Sequence, residues 1–217
     1  MTAGEWRACT DPAAMLAFAR PRASARRLRL FACACARRVW DRLDPPGRWA
    51  VKAAEHFADR TATTEELAAA HTSAHEAALA AVSGWGANRR HDHARFAAAS
   101  CALPGAGEAA VAASRDMFRR ADELFVRPVE EAVQADHLRC VFGGLFGAGV
   151  AHPEWLTATV LALAGRVDAT GEFEALPILA DALQDAGCDD AGVLKHLRSD
   201  GSHARGCWAL DRVLGRP

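Results

Sequence analysis

The 217-residue sequence predicts an all-α fold, a helical bundle or orthogonal helical array of about nine or ten helices with no substantial sheet. Three observations lead there. Apolar residues recur at helical spacing from end to end, no segment sustains period-two alternation with β-branched residues, and Ser, Thr or Asp repeatedly precedes a helix-forming run. With 51% hydrophobic and 24% charged residues, the chain can bury one sizeable core or two small ones.

Thr10, Asp11 and Pro12 read as a cap with a helix-favouring proline, opening a short helix through Met15, Leu16 and Phe18. Ser24 caps a longer helix expected to reach about Leu43, with Leu28, Phe31, Ala32, Cys35, Val39 and Leu43 on one stripe and Pro45, Pro46 and Gly47 ending it. A third helix is expected over roughly Trp49 to Ala58. Thr63 and Glu66 stand at capping-box spacing and open an alanine-rich helix to Val82, followed by a turn at Ser83 to Asn88. A fifth helix runs from about Asp92 to Ala102 and stops at Leu103, Pro104 and Gly105. Glu108 to Phe125 and Val129 to Phe142 read as one long helix bent or broken at Pro128.

Glycines at 143, 144, 147 and 149 then mark a connection, and four helices follow: Pro153 to Val167, Glu172 to Ala186, Asp190 to Leu197 and Gly206 to Leu214. Gly187 is placed as the residue just past the second of these. The expected organisation is an amino-terminal helical region, 1–142, and a carboxy-terminal helical module, 150–217, joined by the Gly-rich loop 143–149; the alternative is one shared core.

The net charge of −1 hides an asymmetry. Residues 1–60 carry 12 basic and 6 acidic side chains, the remainder 14 and 21. All basic residues but Lys52 and Lys195 are arginine, which with the absent tyrosine and abundant alanine reads as a coding bias. The odd count of seven cysteines, outside any secreted framework, and the lack of a charged-then-apolar leader point to a cytoplasmic protein. Val141 to Ala151 and Trp155 to Leu163 are too short to span a bilayer, so no membrane association is expected.

The candidate metal ligands are Cys188, His196, His203 and Cys207, two thiols and two imidazoles around a short loop, the donor set of a tetrahedral zinc site. Their spacing matches no standard finger or ribbon; a Cys207/His203 nucleophilic pair and simple packing are the alternatives. Asp200 and Asp211 stand nearby as candidates to orient ligands or act as a base. His71 and His75 lie four apart on a helix face with His91 and His93 following, but the string HTSAH lacks the glutamate of a zinc-protease motif, and solvated histidines are the plainer account. Cys33 and Cys35 are about 200° apart around a helix and cannot share an ion. They read as core residues, with Cys33 as a reactive thiol, its pKa lowered by Arg26 and Arg37, as the alternative. The run GGLFGAG lacks the order of a dinucleotide fingerprint.

Arg26, Arg37, Arg38 and Trp40 offer a candidate interaction surface within the densest arginine segment. A protein partner is the leading expectation there or around Trp6, Trp49 or Trp85. A nucleic-acid backbone is the lesser one, since no aromatic platform or reading module accompanies the arginines. Pairing with the chain's own acidic residues is the remaining account.

The segments EWRACTDPAAMLAF, LRLFACACARRVWDRL, LPILADALQDAGCDDAGVLKHLR and HARGCWALDRVLG resemble a planctomycete-type bacterial family of uncharacterised proteins. No activity attaches to that family, so the resemblance implies no catalytic residue. It marks the blocks holding Cys9, Cys33, Cys35, His203, Arg205, Cys207, Trp208 and Asp211 as places to test. After its Phe-Gly pair the family continues Asn-Pro-Phe-Arg-Pro, whereas this chain has Gly144 to Ala148.

The leading functional expectation is a cytoplasmic all-α interaction or scaffold protein. The alternative is a zinc-binding protein, extending to a metal-dependent hydrolase, built on the carboxy-terminal Cys/His cluster; nucleic-acid binding stands third.

Overall fold

The structure, a computed structural model, describes residues 1–83, 92–124, 126–147 and 149–216. The expected turn after Ser83, with Trp85 and His91, lies outside them. The protein is all-α, 74% helical, with twelve α-helices, ten of seven residues or more, and no strand among the described residues. In chain order they are α1 (Ala3–Ala8), α2 (Pro12–Ala19), α3 (Ala25–Arg37), α4 (Pro45–Ala58), α5 (Thr64–Ser83), α6 (His93–Cys101), α7 (Ala106–Glu123), α8 (Arg127–Phe142), α9 (Ala158–Thr170), α10 (Leu176–Asp185), α11 (Ala191–Leu197) and α12 (Trp208–Val213). Among the described residues no helix is long and apolar enough to cross a membrane.

Two compact units result, Ala8–Ala135 and Met1–Arg7 with Asp136–Pro217. The division falls inside α8. The glycine-rich segment expected as a joint instead forms a 3₁₀ turn over Gly143–Phe146 within the second unit.

The Ala8–Ala135 unit is organised around α3. Nine consecutive residues, Leu28 to Ala36, are buried, which makes α3 a helix enclosed on all sides rather than one with a single apolar stripe. It packs on α4, α6 and α7, and α5 packs on α4 and α6. Ala50, Ala54, Ala97, Ala98, Ala109, Ala110 and Ala113 expose no surface. Side chains this small let helix backbones approach closely and accumulate dispersion contacts, so the alanine bias has a packing consequence here.

The helix starts follow the caps. Asp11 Oδ1 accepts from the Ala13 and Ala14 amides at 2.9 and 3.2 Å. Thr63 and Glu66 form the reciprocal capping box, at 3.1 and 2.7 Å. Asp11→Ala is expected to cost about 1 kcal/mol, read as a fall of ~2–4 °C in thermal midpoint. One expectation is reversed: Pro45 and Pro46 start α4 instead of ending α3, because Asp44 caps the helix and proline suits its first turn, where no amide is needed. Helix α3 itself stops at Arg37, and Trp40–Arg42 form a 3₁₀ turn that keeps Val39 and Leu43 buried. The expected long helix is two helices, α7 ending at Glu123 and α8 starting at Arg127, with Pro128 in the first turn of α8 rather than at the break.

Burial also sets charge behaviour. Asp116 on α7 is buried, and this raises its carboxyl pKa despite Arg115, a hydrogen bond from Ser100, Arg119 and His93. The native state therefore holds this proton to higher pH than the unfolded chain. Its contribution to stability is complete below the ordinary aspartate range and is lost as pH rises through the raised value. Asp116→Asn should gain stability relative to the parent above that range and lose the advantage below it, as denaturant midpoints measured across pH would show.

In the Asp136–Pro217 unit, Leu176, Leu179 and Leu183 form a helical stripe on α10 packed in one cluster with Val160, Val167, Val193, Leu197, Leu210 and Val213. Thr157 and Asp190 cap α9 and α11. Helix α10 ends in a Schellman turn, with Gly187 at φ 88° and bonds from the Gly187 amide to Gln184 O (2.9 Å) and the Cys188 amide to Leu183 O (2.9 Å).

Candidate metal centre

Four side chains converge in the second unit. Cys140 on α8, His196 on α11, His203 in the loop that follows and Cys207 at the start of α12 each offer one donor atom, and these atoms all lie within 4.8 Å of one another. His196 Nε2 is 3.2 Å from Cys207 Sγ, and His203 Nδ1 is 3.7 Å from Cys140 Sγ. A tetrahedral zinc ion with bonds of about 2.0–2.3 Å to nitrogen and sulfur separates its ligand atoms by roughly 3.3–3.8 Å. The His203–Cys140 spacing falls within that range and the His196–Cys207 spacing just below it, while donor atoms up to 4.8 Å apart would close on the ion by side-chain rotation.

The surroundings suit the donors. His203 Nε2 donates to Ser199 O at 3.2 Å, which fixes the tautomer and turns Nδ1 toward the thiols, as ligating histidines commonly require. Burial alone would raise the Cys207 thiol. Its hydrogen bonds with Cys140, His196 and His203 outweigh that and pull its pKa well below the usual value. Cys140 moves the opposite way, because it shares a proton with Cys207 and is itself buried. For His203, burial works against the charged form, but contact with Cys207 and Ser199 O leaves its pKa raised.

The sequence-derived set is therefore met in three members, and Cys140 stands where Cys188 was expected. Cys188 is drawn into the core by the Schellman turn, where the residue after the glycine normally packs back on the helix. Burial raises its thiol pKa. Cys140 was not legible because it lies 63 positions before His203 on another helix. Of the two nearby aspartates, Asp200 is exposed and Asp211 is buried on α12.

Trp208 lies beside His196, their rings 5.3 Å apart. Gly143 makes that placement possible: a Cβ there would fall 2.5 Å from Trp208 Nε1 and 2.6 Å from Cδ1. Gly143→Ala is expected to destabilise the protein by about 1–3 kcal/mol through overpacking, as the Trp208 ring next to His196 is displaced, measured by thermal melting.

The other sequence candidates have structural partners. Arg26 pairs with Asp59 at 2.9 Å, Arg37 with Glu55 at 2.6 Å, and Arg38 with buried Glu130. Trp40 lies under the Arg37 guanidinium, 4.2 Å from its ring centroid. Two of the three carboxylates come from the amino-terminal sixty residues and the third from α8. Trp6 is buried, while Trp49 is exposed. Cys33 is also buried; burial, then contact with Cys101, raises its thiol pKa, the reverse of a thiol activated by arginines. His71 Nδ1 bonds Ala99 O at 2.9 Å, and His75 stacks on His71.

Comparison with protein-family models, curated proteins and solved structures returned no match. The geometry of the four side chains is what bears on function.

Proposed function

We propose that the chain is a zinc-binding protein in which Cys140, His196, His203 and Cys207 hold the ion as a structural tie, and that its helical surfaces serve protein interaction. The observation that carries this is the convergence of two thiols and two imidazoles from three helices and a loop to within 4.8 Å. Four protein donors complete a tetrahedral shell, which favours a structural role over hydrolysis, since activating water needs an open position. The two helices and loop that carry three of the donors are short, and a metal would add to their small core what packing alone supplies sparingly. All seven cysteines are free, which supports a reducing, cytoplasmic setting.

Elemental analysis of untagged protein tests the reading. About one zinc per chain is expected, lost in Cys140→Ala and in His203→Ala with Cys207→Ala, and retained in Cys188→Ala. Zinc absent from the parent after gentle purification and zinc titration would refute it. Retention in Cys140→Ala with loss in Cys188→Ala would assign the ion to the other ligand set.

A further inference from the structure

A cavity of about 610 Å³ opens in the Asp136–Pro217 unit with its Met1–Arg7 segment, within the ~300–1,000 Å³ typical of small-ligand pockets. Its apolar walls are aromatic. Trp6 and Phe146 stand with ring centroids 5.7 Å apart, and Trp208 lines another side, held against Gly143. Such walls suit a flat ligand that can lie against a ring face.

The charges lining the cavity are unbalanced. Arg7, Arg139, Lys195 and Arg212 face only Asp136 and Asp190. Arg139 pairs with Asp136 at 2.7 Å and Arg212 with Asp190 at 2.6 Å. Arg7 and Lys195 remain as the excess cations among the lining residues, both exposed. Arg212 has a side chain only 10% exposed. The Arg212 guanidinium is already engaged by Asp190, by a bond to Val150 O and over the Trp155 ring, and the charge left for a ligand is that of Arg7 and Lys195.

We propose that this cavity binds a small organic anion with a planar aromatic body, of the aryl phosphate or aryl carboxylate class. The ring would lie against Phe146 and Trp208, with the buried Trp6 backing Phe146, and the anionic end would meet the cationic side, where guanidinium and ammonium groups recognise phosphate and carboxylate oxygens. The inference rests on the metal reading in one respect, that a bound ion would fix the His196 and His203 side of the cavity.

Phenyl phosphate is the probe, titrated calorimetrically into full-length protein whose zinc content is measured on the same sample, with phenol and inorganic phosphate as partial ligands. Saturable one-site binding is expected for phenyl phosphate. Each partial ligand should bind at least about tenfold more weakly, and the double variant Arg7→Ala, Lys195→Ala should weaken phenyl phosphate by about tenfold or more, one tenfold step being ~1.4 kcal/mol. No saturable binding at millimolar concentration by zinc-replete protein overturns the inference and leaves the metal reading standing. So does binding that the double variant leaves unchanged, or inorganic phosphate binding as tightly as phenyl phosphate. Absence of zinc from the sample would instead count against the metal reading, and the titration still decides the cavity.

Discussion

Stripping zinc from the loaded protein with a strong chelator is expected to lower its thermal midpoint by about 8–16 °C. A ligand present at about a thousand times its dissociation constant stabilises the native state by ~4 kcal/mol, and in a chain of this size each kcal/mol moves the midpoint by ~2–4 °C. The effect should be concentrated in the unit that carries α9 to α12, because the four donors all lie there. Acidification should do the same. Thiolate and neutral imidazole are the ligating forms, so protons compete with the metal and its affinity falls as pH is lowered. Cys140→Ala should melt low and show no response to added zinc or chelator, whereas Cys188→Ala should lose only a modest packing contribution and keep the metal response. A chelator that releases zinc without moving the midpoint would argue against a structural tie.

The second large effect is expected at Arg29. This guanidinium is 2% exposed in the middle of α3, and it donates from Nη1 to Cys101 O (2.8 Å) and Leu103 O (2.7 Å) and from Nη2 to Pro104 O (2.9 Å). These carbonyls lie at the carboxy-terminal end of α6, which lacks intrahelical partners for its last acceptors and carries the negative end of the helix dipole. Arg29 therefore caps one helix from inside another, with its guanidinium also near the Phe57 ring, 5.1 Å from its centroid. Burial lowers its pKa, a cost that the three charge-assisted bonds offset. Arg29→Met keeps length and apolar bulk but strands the carbonyls, and should cost about 3–5 kcal/mol, a fall of roughly 10 °C or more in thermal midpoint. Arg29→Lys should recover only part of this, since an ammonium cannot span three acceptors as a planar fork does. Equal stability of the methionine variant and the parent in denaturant titrations would show that water or a local shift satisfies these carbonyls.

Arg29 also shows where reading the sequence stops. In the linear pattern it is one of eight arginines between positions 20 and 42 and looks like part of a solvated flank. Nothing local distinguishes it from Arg27, because its partners are backbone carbonyls more than seventy positions away. Cys140 and Cys188 teach the same lesson. Both sit near apolar residues, and only the path of α8 past the α11–α12 loop selects Cys140 as the second thiol.

What the sequence by itself determined is the local part of the structure: the all-α class, the starts of α2, α3, α5, α6 and α11, and the glycine stop after α10; α9 starts at Ala158 behind a Thr157 cap, later than the expected Pro153. Each of these depends on contacts within about four residues, where a cap, a capping box or a Schellman turn satisfies the orphan groups at a helix end. His196, His203 and Cys207 were also within reach, being eleven positions apart at most. The tertiary structure alone decided the fourth member of the Cys/His group, the cap on α6, the pairing of the arginines and the division of the chain within α8. These are set by which helix faces pack together, and that follows from the whole core rather than from any local spacing of residues.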